Sequence, residues 1–340
     1  MKKLALLVFL TLLSTVSFAQ LQLLATLNHN DSISIFYGGS ALREAHAAAV
    51  DGDIITLSPG SFSSVDITKA VAIRGAGMFP DTIAKTIPTT ILNDFTVNIA
   101  DTTHNLTLEG VNCANYMYYQ KIHNPQFVKC FFNHIYYYES TYGAMENATF
   151  INCVIYSFGN NGNYSSGKGY AQNTTFVNSV IMNMSCEGTP SLINCVAGLS
   201  NSYVSYVGVA NSILYCNTPG ANSTNSAVNS IGINTNPYNH SNYFSIPDYL
   251  PGFYNLRNYH NYEEVFKYFR GSFNGNQINF ELQDSIATTF LGTDGTQVGI
   301  YGGQTPFDPS VRSPLIKNIN VAQRPNAEGK LEVEVEIVSE

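Results

Sequence analysis

The residues best placed to do chemistry are a pair of tyrosine runs. Tyr116, Tyr118 and Tyr119 are followed twenty residues later by Tyr136, Tyr137 and Tyr138. On stacked strands Tyr116 should lie beside Tyr136, and Tyr118 beside Tyr138. Alternation turns some rings outward and others inward. Outward rings make a platform for sugar rings or another apolar surface, and inward ones make a structural aromatic ladder. The titratable residues nearby are Lys121, His123, Lys129 and His134. They could supply a base for proton abstraction, or be solvated side chains with no chemical role. The centre of the chain carries little charge. No Arg lies between Arg74 and Arg257, no Asp between Asp101 and Asp248, and no Asp, Glu, Lys or Arg from Gly188 to Pro247. The six cysteines (113, 130, 153, 186, 195 and 216) have no metal-ligand spacing. No metal and no cofactor is expected, and no residue is assigned a catalytic role.

The elements that must carry these residues are repeats. Ala148-Thr-Phe-Ile-Asn-Cys-Val-Ile-Tyr-Ser-Phe158 has copies in Thr175-Phe-Val-Asn-Ser-Val-Ile181, Ser191-Leu-Ile-Asn-Cys-Val-Ala197, Gly208-Val-Ala-Asn-Ser-Ile-Leu214 and Ser226-Ala-Val-Asn-Ser-Ile-Gly232. Weaker copies place the same position at 74, 93, 109 and 129, with intervals throughout of 16 to 26 residues. A short apolar strand returning at this period is the mark of a solenoid. The segments are too short and too rich in β-branched residues, Asn, Ser and Tyr for paired helices. Each coil buries its apolar side only by stacking on the next.

The Asn position has a physical reason. A coil must turn sharply between strands, and Asn tolerates the left-handed region better than other non-glycine residues. Asn152, Asn178, Asn194, Asn211 and Asn229 should therefore align along one edge, about 4.8 Å apart, as an amide-to-amide ladder. The small residue that follows (Cys153, Ser179, Cys195, Ser212, Ser230) suits a crowded corner, which favours buried free thiols over disulfides. With these features the chain resembles the right-handed parallel β-helix superfamily, the pectate-lyase-like fold of exported bacterial type, over roughly residues 35 to 303. The expected fold is all-β: a right-handed parallel β-helix solenoid with a short N-terminal capping helix.

That resemblance implies chemistry that the residues do not supply. Pectate-lyase-like enzymes use a basic side chain to abstract a proton and carboxylates to hold calcium, and the central coils lack both. Polygalacturonase-type hydrolases use paired carboxylates, and their Asn-Thr-Asp, Asp-Asp and Arg-Ile-Lys motifs are missing. Gly292-Thr-Asp-Gly-Thr-Gln-Val-Gly-Ile-Tyr-Gly-Gly303 resembles the terminal coil of exported β-helix proteins.

The ends complete the reading. Residues 1–19 have a signal peptide's pattern: Lys2 and Lys3, an apolar run over Leu4–Leu13, and small residues in Ser17-Phe-Ala19. Cleavage there takes the formal charge from −8 to −10. Residues 20–60 are read as an N-terminal cap and first strand. Within them Ser40 should N-cap a helix over 41–50 whose His46 faces water. Residues 61–303 form the β-helix, with a loop and helix insertion near 236–275, and 236–260 themselves irregular. Residues 304–340 form a tail with a terminal strand over 331–337.

Charged residues make up 12% of the chain, about half the usual share, and there is no basic run. Nucleic acid is excluded as a partner, and no membrane insertion is expected after signal cleavage. The residues favour a secreted or cell-surface, monomeric, non-catalytic module that binds a polysaccharide or cell-surface glycan through Tyr116, Tyr118, Tyr136 and Tyr138. The alternatives are a polysaccharide lyase or glycoside hydrolase with an atypical site, and a structural or adhesive surface protein.

Overall fold

A computed structural model describes residues 23–80, 87–99, 103–137, 145–159, 169–199, 207–216, 224–234, 253–268, 278–310, 315–321 and 333–338. The expected signal peptide and Tyr138 lie outside the described residues. The described chain is a parallel β-solenoid. Strand Leu24–His29 opens it, pairing antiparallel with both Ser32–Tyr37 and Ile54–Leu57. From Ile54 to Tyr259 the strands pair parallel with one another. Ile55, Ile73, Leu108, Phe127, Phe150, Phe176, Leu192, Val209 and Ala227 are successive partners in one inward column. Every member of that column is buried. Phe253 extends it, because Phe253–Tyr259 pairs with Thr224–Asn234. That strand falls within the stretch expected to be irregular.

The corner after this column is left-handed. Asn152, Asn178, Asn194, Asn211 and Asn229 have φ of 53°, 46°, 52°, 52° and 45°. Asn255 continues the series at 50° and Lys129 precedes it at 50°. In the earlier coil the corner falls on Gly110 (φ 62°), one residue after the expected position 109. Glycine takes the left-handed region without a Cβ penalty, so the turn stays in register while the side chain disappears. Asn93 belongs to another side of the coil. It joins Thr89–Leu92 to Phe95–Val97, which pair with the two halves of Val111–Tyr119.

Behind each corner the small residues stack. Ser179 Oγ accepts from Cys153 N, Ser212 Oγ from Cys195 N, and Ser230 Oγ from Ser212 N. The cysteine thiols donate to carbonyls of the preceding coil and of their own turn, as Cys153 does to Phe127 and Ile151. Among the described residues Cys113, Cys130, Cys153, Cys186 and Cys195 are buried and form no disulfide.

A second apolar layer lies outside the solenoid. Val154, Val180, Val196, Ile213 and Ile231 point outward, two residues after their corners. Val265, Phe266, Phe280, Leu282, Ile286, Phe290, Val298, Ile300 and Phe307 of the C-terminal segment share that layer. Arg257 adds a cation–π contact, 4.5 Å from the centre of the Phe290 ring. Residues 292–303, expected as a terminal coil, run instead as a strap over the outward column. Gly299 and Gly303 let it lie close: a Cβ on Gly299 would meet the Ile213 side chain, and one on Gly303 would meet the Asn194 amide. Beyond the strap, Val333–Val338 pairs antiparallel with Leu315–Val321.

The N-terminal helix spans Ala41–Ala48 and buries Ala41, Leu42 and Ala45 in the main core. Its capping differs from expectation. Ser40 Oγ donates to Glu44 Oε1 at 2.6 Å and makes no side-chain cap bond to the backbone. The C-terminal end is held by Lys69, whose Nζ donates to the carbonyls of His46, Ala47 and Ala49. This cation meets the negative end of the helix.

His46, expected in water, is 4% exposed, and its Nε2 accepts from Thr68 N at 3.4 Å. Burial, with Lys69 beside it, lowers its pKa, against a smaller opposing pull from Asp51. Burial also lowers the pKa of His134. Both groups are neutral in the fold and protonate more readily once unfolded. The stability they contribute is whole above an unfolded pKa of about 6.5 and is lost as pH falls through their folded values. Thermal melts should therefore drop in midpoint from about pH 7.5 to about pH 5. His46→Leu should flatten part of that slope, and an unchanged slope would remove His46 from the account.

Candidate functional site

The outward tyrosines do form a cluster, in a register different from the one the spacing suggests. Val111–Tyr119 and Phe131–Tyr137 are parallel partners. Met117, Tyr119 and Ile135 point into the core, while Tyr116, Tyr118, His134 and Tyr136 face outward. Tyr116 pairs with His134 rather than Tyr136, and Tyr118 pairs with Tyr136 rather than Tyr138. The slip of two residues has two causes. One residue comes from the corner at Gly110 instead of 109. The other comes from a bulge at Ala114–Asn115, where two residues face the single Asn133. Around the bulge, Asn133 Nδ2 donates to Ala114 O at 3.0 Å, and Tyr116 N donates to Asp94 Oδ1 at 3.3 Å.

The rings cover one another unevenly. Tyr116 lies between Tyr118, with centroids 5.9 Å apart and planes at 15°, and His134, at 4.6 Å and 12°. Tyr136 lies 5.5 Å from Tyr116 and 5.1 Å from His134. Tyr156, from the next coil, meets His134 edge-on at 5.7 Å. Tyr136 is only 7% exposed; its Oη lies 2.8 Å from His134 Nδ1 and donates to Ser157 Oγ at 3.3 Å. Burial raises its phenol pKa, partly offset by the Ser157 bond, so at neutral pH it is a donor. Tyr116 and Tyr136 are thus the packed middle of the cluster. Tyr118, partly exposed, and Tyr156, 46% exposed, form its outer edge. Tyr119 is fully buried, with its hydroxyl unpartnered.

The possible bases have separate partners. Lys129 sits at a corner, where Nζ donates to Ser310 O at 2.5 Å and lies 3.4 Å from Asp308. His123 Nδ1 is 2.7 Å from Glu146 Oε2 on the adjacent strand. Lys121 is exposed. His134 belongs to the aromatic cluster. The four are therefore distributed among different surroundings instead of converging on one substrate position. The cluster itself offers ring faces, phenol hydroxyls and a neutral imidazole, a set suited to stacking and hydrogen bonding.

The corner asparagines bond mainly to the strap. Asn178 Nδ2 donates to Ile300 O at 2.9 Å and to Gly302 O at 2.6 Å. Asn211 exchanges bonds with Thr293 through both ends of its amide. Asn152 Oδ1 and Asn194 Oδ1 are buried without a partner. The expected amide-to-amide contact appears at this corner between Asn255 and Asn229, at 2.9 Å. The strap supplies backbone groups in better positions than the neighbouring amides.

A ladder does run along another corner. Asn147 Nδ2 donates to Asn124 Oδ1, and Asn173 Nδ2 to Asn147 Oδ1. All three have positive φ, and Thr189 Oγ1 closes the series onto Asn173. The signal for it was in the sequence: each Asn lies three residues before the inward Phe127, Phe150 or Phe176. Tyr156 had no counterpart in the tyrosine runs, and so nothing in the spacing marked it.

Compared with protein-family models, curated proteins and solved structures, the chain matches none of them.

Proposed function

We propose that this chain is an exported, non-catalytic β-solenoid, of the right-handed pectate-lyase-like kind, that binds a glycan or a glycan-bearing surface through its aromatic cluster. The observation that carries the reading is the ring edge formed by Tyr118 and Tyr156 over the packed Tyr116, His134 and Tyr136. A packed second row holds the outer rings in place before binding, which reduces the entropy lost on association. Each exposed ring contributes roughly 0.5–1.5 kcal/mol to stacking, or about threefold to tenfold in affinity. The scattered titratable residues favour binding over turnover.

A glycan array followed by calorimetry tests the reading, with reducing-end and unsaturated-sugar assays run on every hit. Wild type should bind without releasing product. Tyr118→Ala and Tyr156→Ala should each weaken binding by about threefold to tenfold, with little change in melting temperature. Product formation would make the protein an enzyme. Affinity indifferent to both substitutions would move binding away from this cluster.

A further inference from the structure

A different side of the solenoid carries a second kind of surface. On the sheet whose inward column runs through Phe127, Phe150 and Phe176, the outward residues form two straight rows. One row contains Thr149, Thr175 and Ser191, and the other contains Ile151, Val177 and Ile193. Pairing across these strands has no register shift, and all six side chains are at least partly exposed, Ile193 at 36%. Within each row the side chains therefore repeat at about 4.8 Å, and the two rows stand about 6.6 Å apart. Among the described residues the hydroxyls of Thr149, Thr175 and Ser191 make no hydrogen bond to protein. Strands 149–151, 175–177, 191–193, 208–210 and 226–228 contain no charged residue.

We propose that this face binds ice. An uncharged face selects an uncharged partner, since no ion here orients water around itself. Evenly spaced hydroxyls hold waters that bridge one rung to the next. The aliphatic row beside them forces the adjoining water to bond to itself, in a sheet with the same two spacings. Hexagonal ice presents oxygen rows whose repeats are of the same order in both directions. A sugar site would need rings to stack on, and these three rungs present none; the amides of Asn147 and Asn173, at the corner beside them, are taken up by their own ladder. The face is separate from the aromatic cluster, so this inference stands or falls independently of glycan binding.

The test is ice-affinity partitioning of the purified chain during slow freezing, together with thermal hysteresis. Wild type should be enriched in the ice fraction and hold a measurable hysteresis gap. Thr175→Tyr raises a ring above the plane and Ile193→Lys plants a charge on it; each should abolish both effects. Lys121→Tyr, which adds the same ring off this face, should leave them intact. Circular dichroism identifies the variants that remain folded, and either substitution alone suffices to test the face. Exclusion of wild type from ice, as for an ordinary globular protein, overturns the proposal. So does retention on an insoluble uncharged polysaccharide that Thr175→Tyr removes without any partition into ice.

Discussion

Phe150→Ala is expected to be the most destabilising single truncation in the core, at about 4 kcal/mol. Phe150 is fully buried. Its ring stacks on Phe127 at 4.5 Å and on Phe176 at 4.7 Å. It also meets Phe132 and Phe158 edge-on, at 6.2 Å and 5.8 Å. Phe→Ala in a core costs about 3–5 kcal/mol through lost transfer energy and the cavity left behind. The value should fall high in that range, because a stacked column collapses poorly: Phe127 and Phe176 are held by their own strands one rung to each side. The lost ring pairs add roughly 0.5–1.5 kcal/mol each, and not additively. A solenoid's stability is a sum of coils and nearest-neighbour interfaces, so a gap here weakens two interfaces at once. Phe150→Leu, which loses the ring pairs but fills most of the space, should cost about 1–2.5 kcal/mol, clearly less than the alanine variant. Urea unfolding of both variants checks this. A loss below about 1 kcal/mol for the alanine variant would mean that the column is not the core.

The contrast between columns shows what the sequence could express. The inward column was legible because every coil repeats one apolar strand and one left-handed corner. Asn at 152, 178, 194, 211 and 229 marks that corner directly. Where glycine takes the turn, at Gly110, the mark vanishes and the reading slips by one residue. The bulge opposite Asn133 adds the second slip, and no residue type announces it. The tyrosine pairing was therefore two residues out, although the outward face was anticipated.

The strap had a signal that the repeat itself contained. Each copy follows its small residue with an apolar pair, as in Val154-Ile155 and Val180-Ile181. Alternation turns only one member of a pair inward. The other, Val154 or Val180, must be covered by something outside the coil. The covering segment has no repeat of its own, so its place on that column depends on long-range packing that spacing does not encode.

Asn178→Ala and Asn194→Ala separate the corner's two roles, and their effects should differ by about 2 kcal/mol. Both residues sit in the left-handed region, at φ of 46° and 52°, so alanine costs roughly 1–2 kcal/mol at either one. Asn178 also donates two buried bonds to the strap, at Ile300 O and Gly302 O. Removing it leaves both carbonyls short of a donor, at about 0.5–1.5 kcal/mol each or more where water cannot reach. Its total should be about 3 kcal/mol. Asn194 brings a buried oxygen that no donor meets. Losing that unpartnered atom offsets part of the turn penalty, leaving a net cost of about 1 kcal/mol. Asn178→Gly keeps the turn and removes only the strap bonds, so it should fall between the two. Hydrogen exchange gives the second readout: amides of residues 298–307 should exchange faster in Asn178→Ala and in Asn178→Gly, and at the wild-type rate in Asn194→Ala. If the two alanine variants melt together, Asn178→Gly melts like wild type and all three exchange at the wild-type rate, the asparagines serve the turn alone, and the strap is held by its apolar contacts with Val154, Val180, Val196 and Ile213.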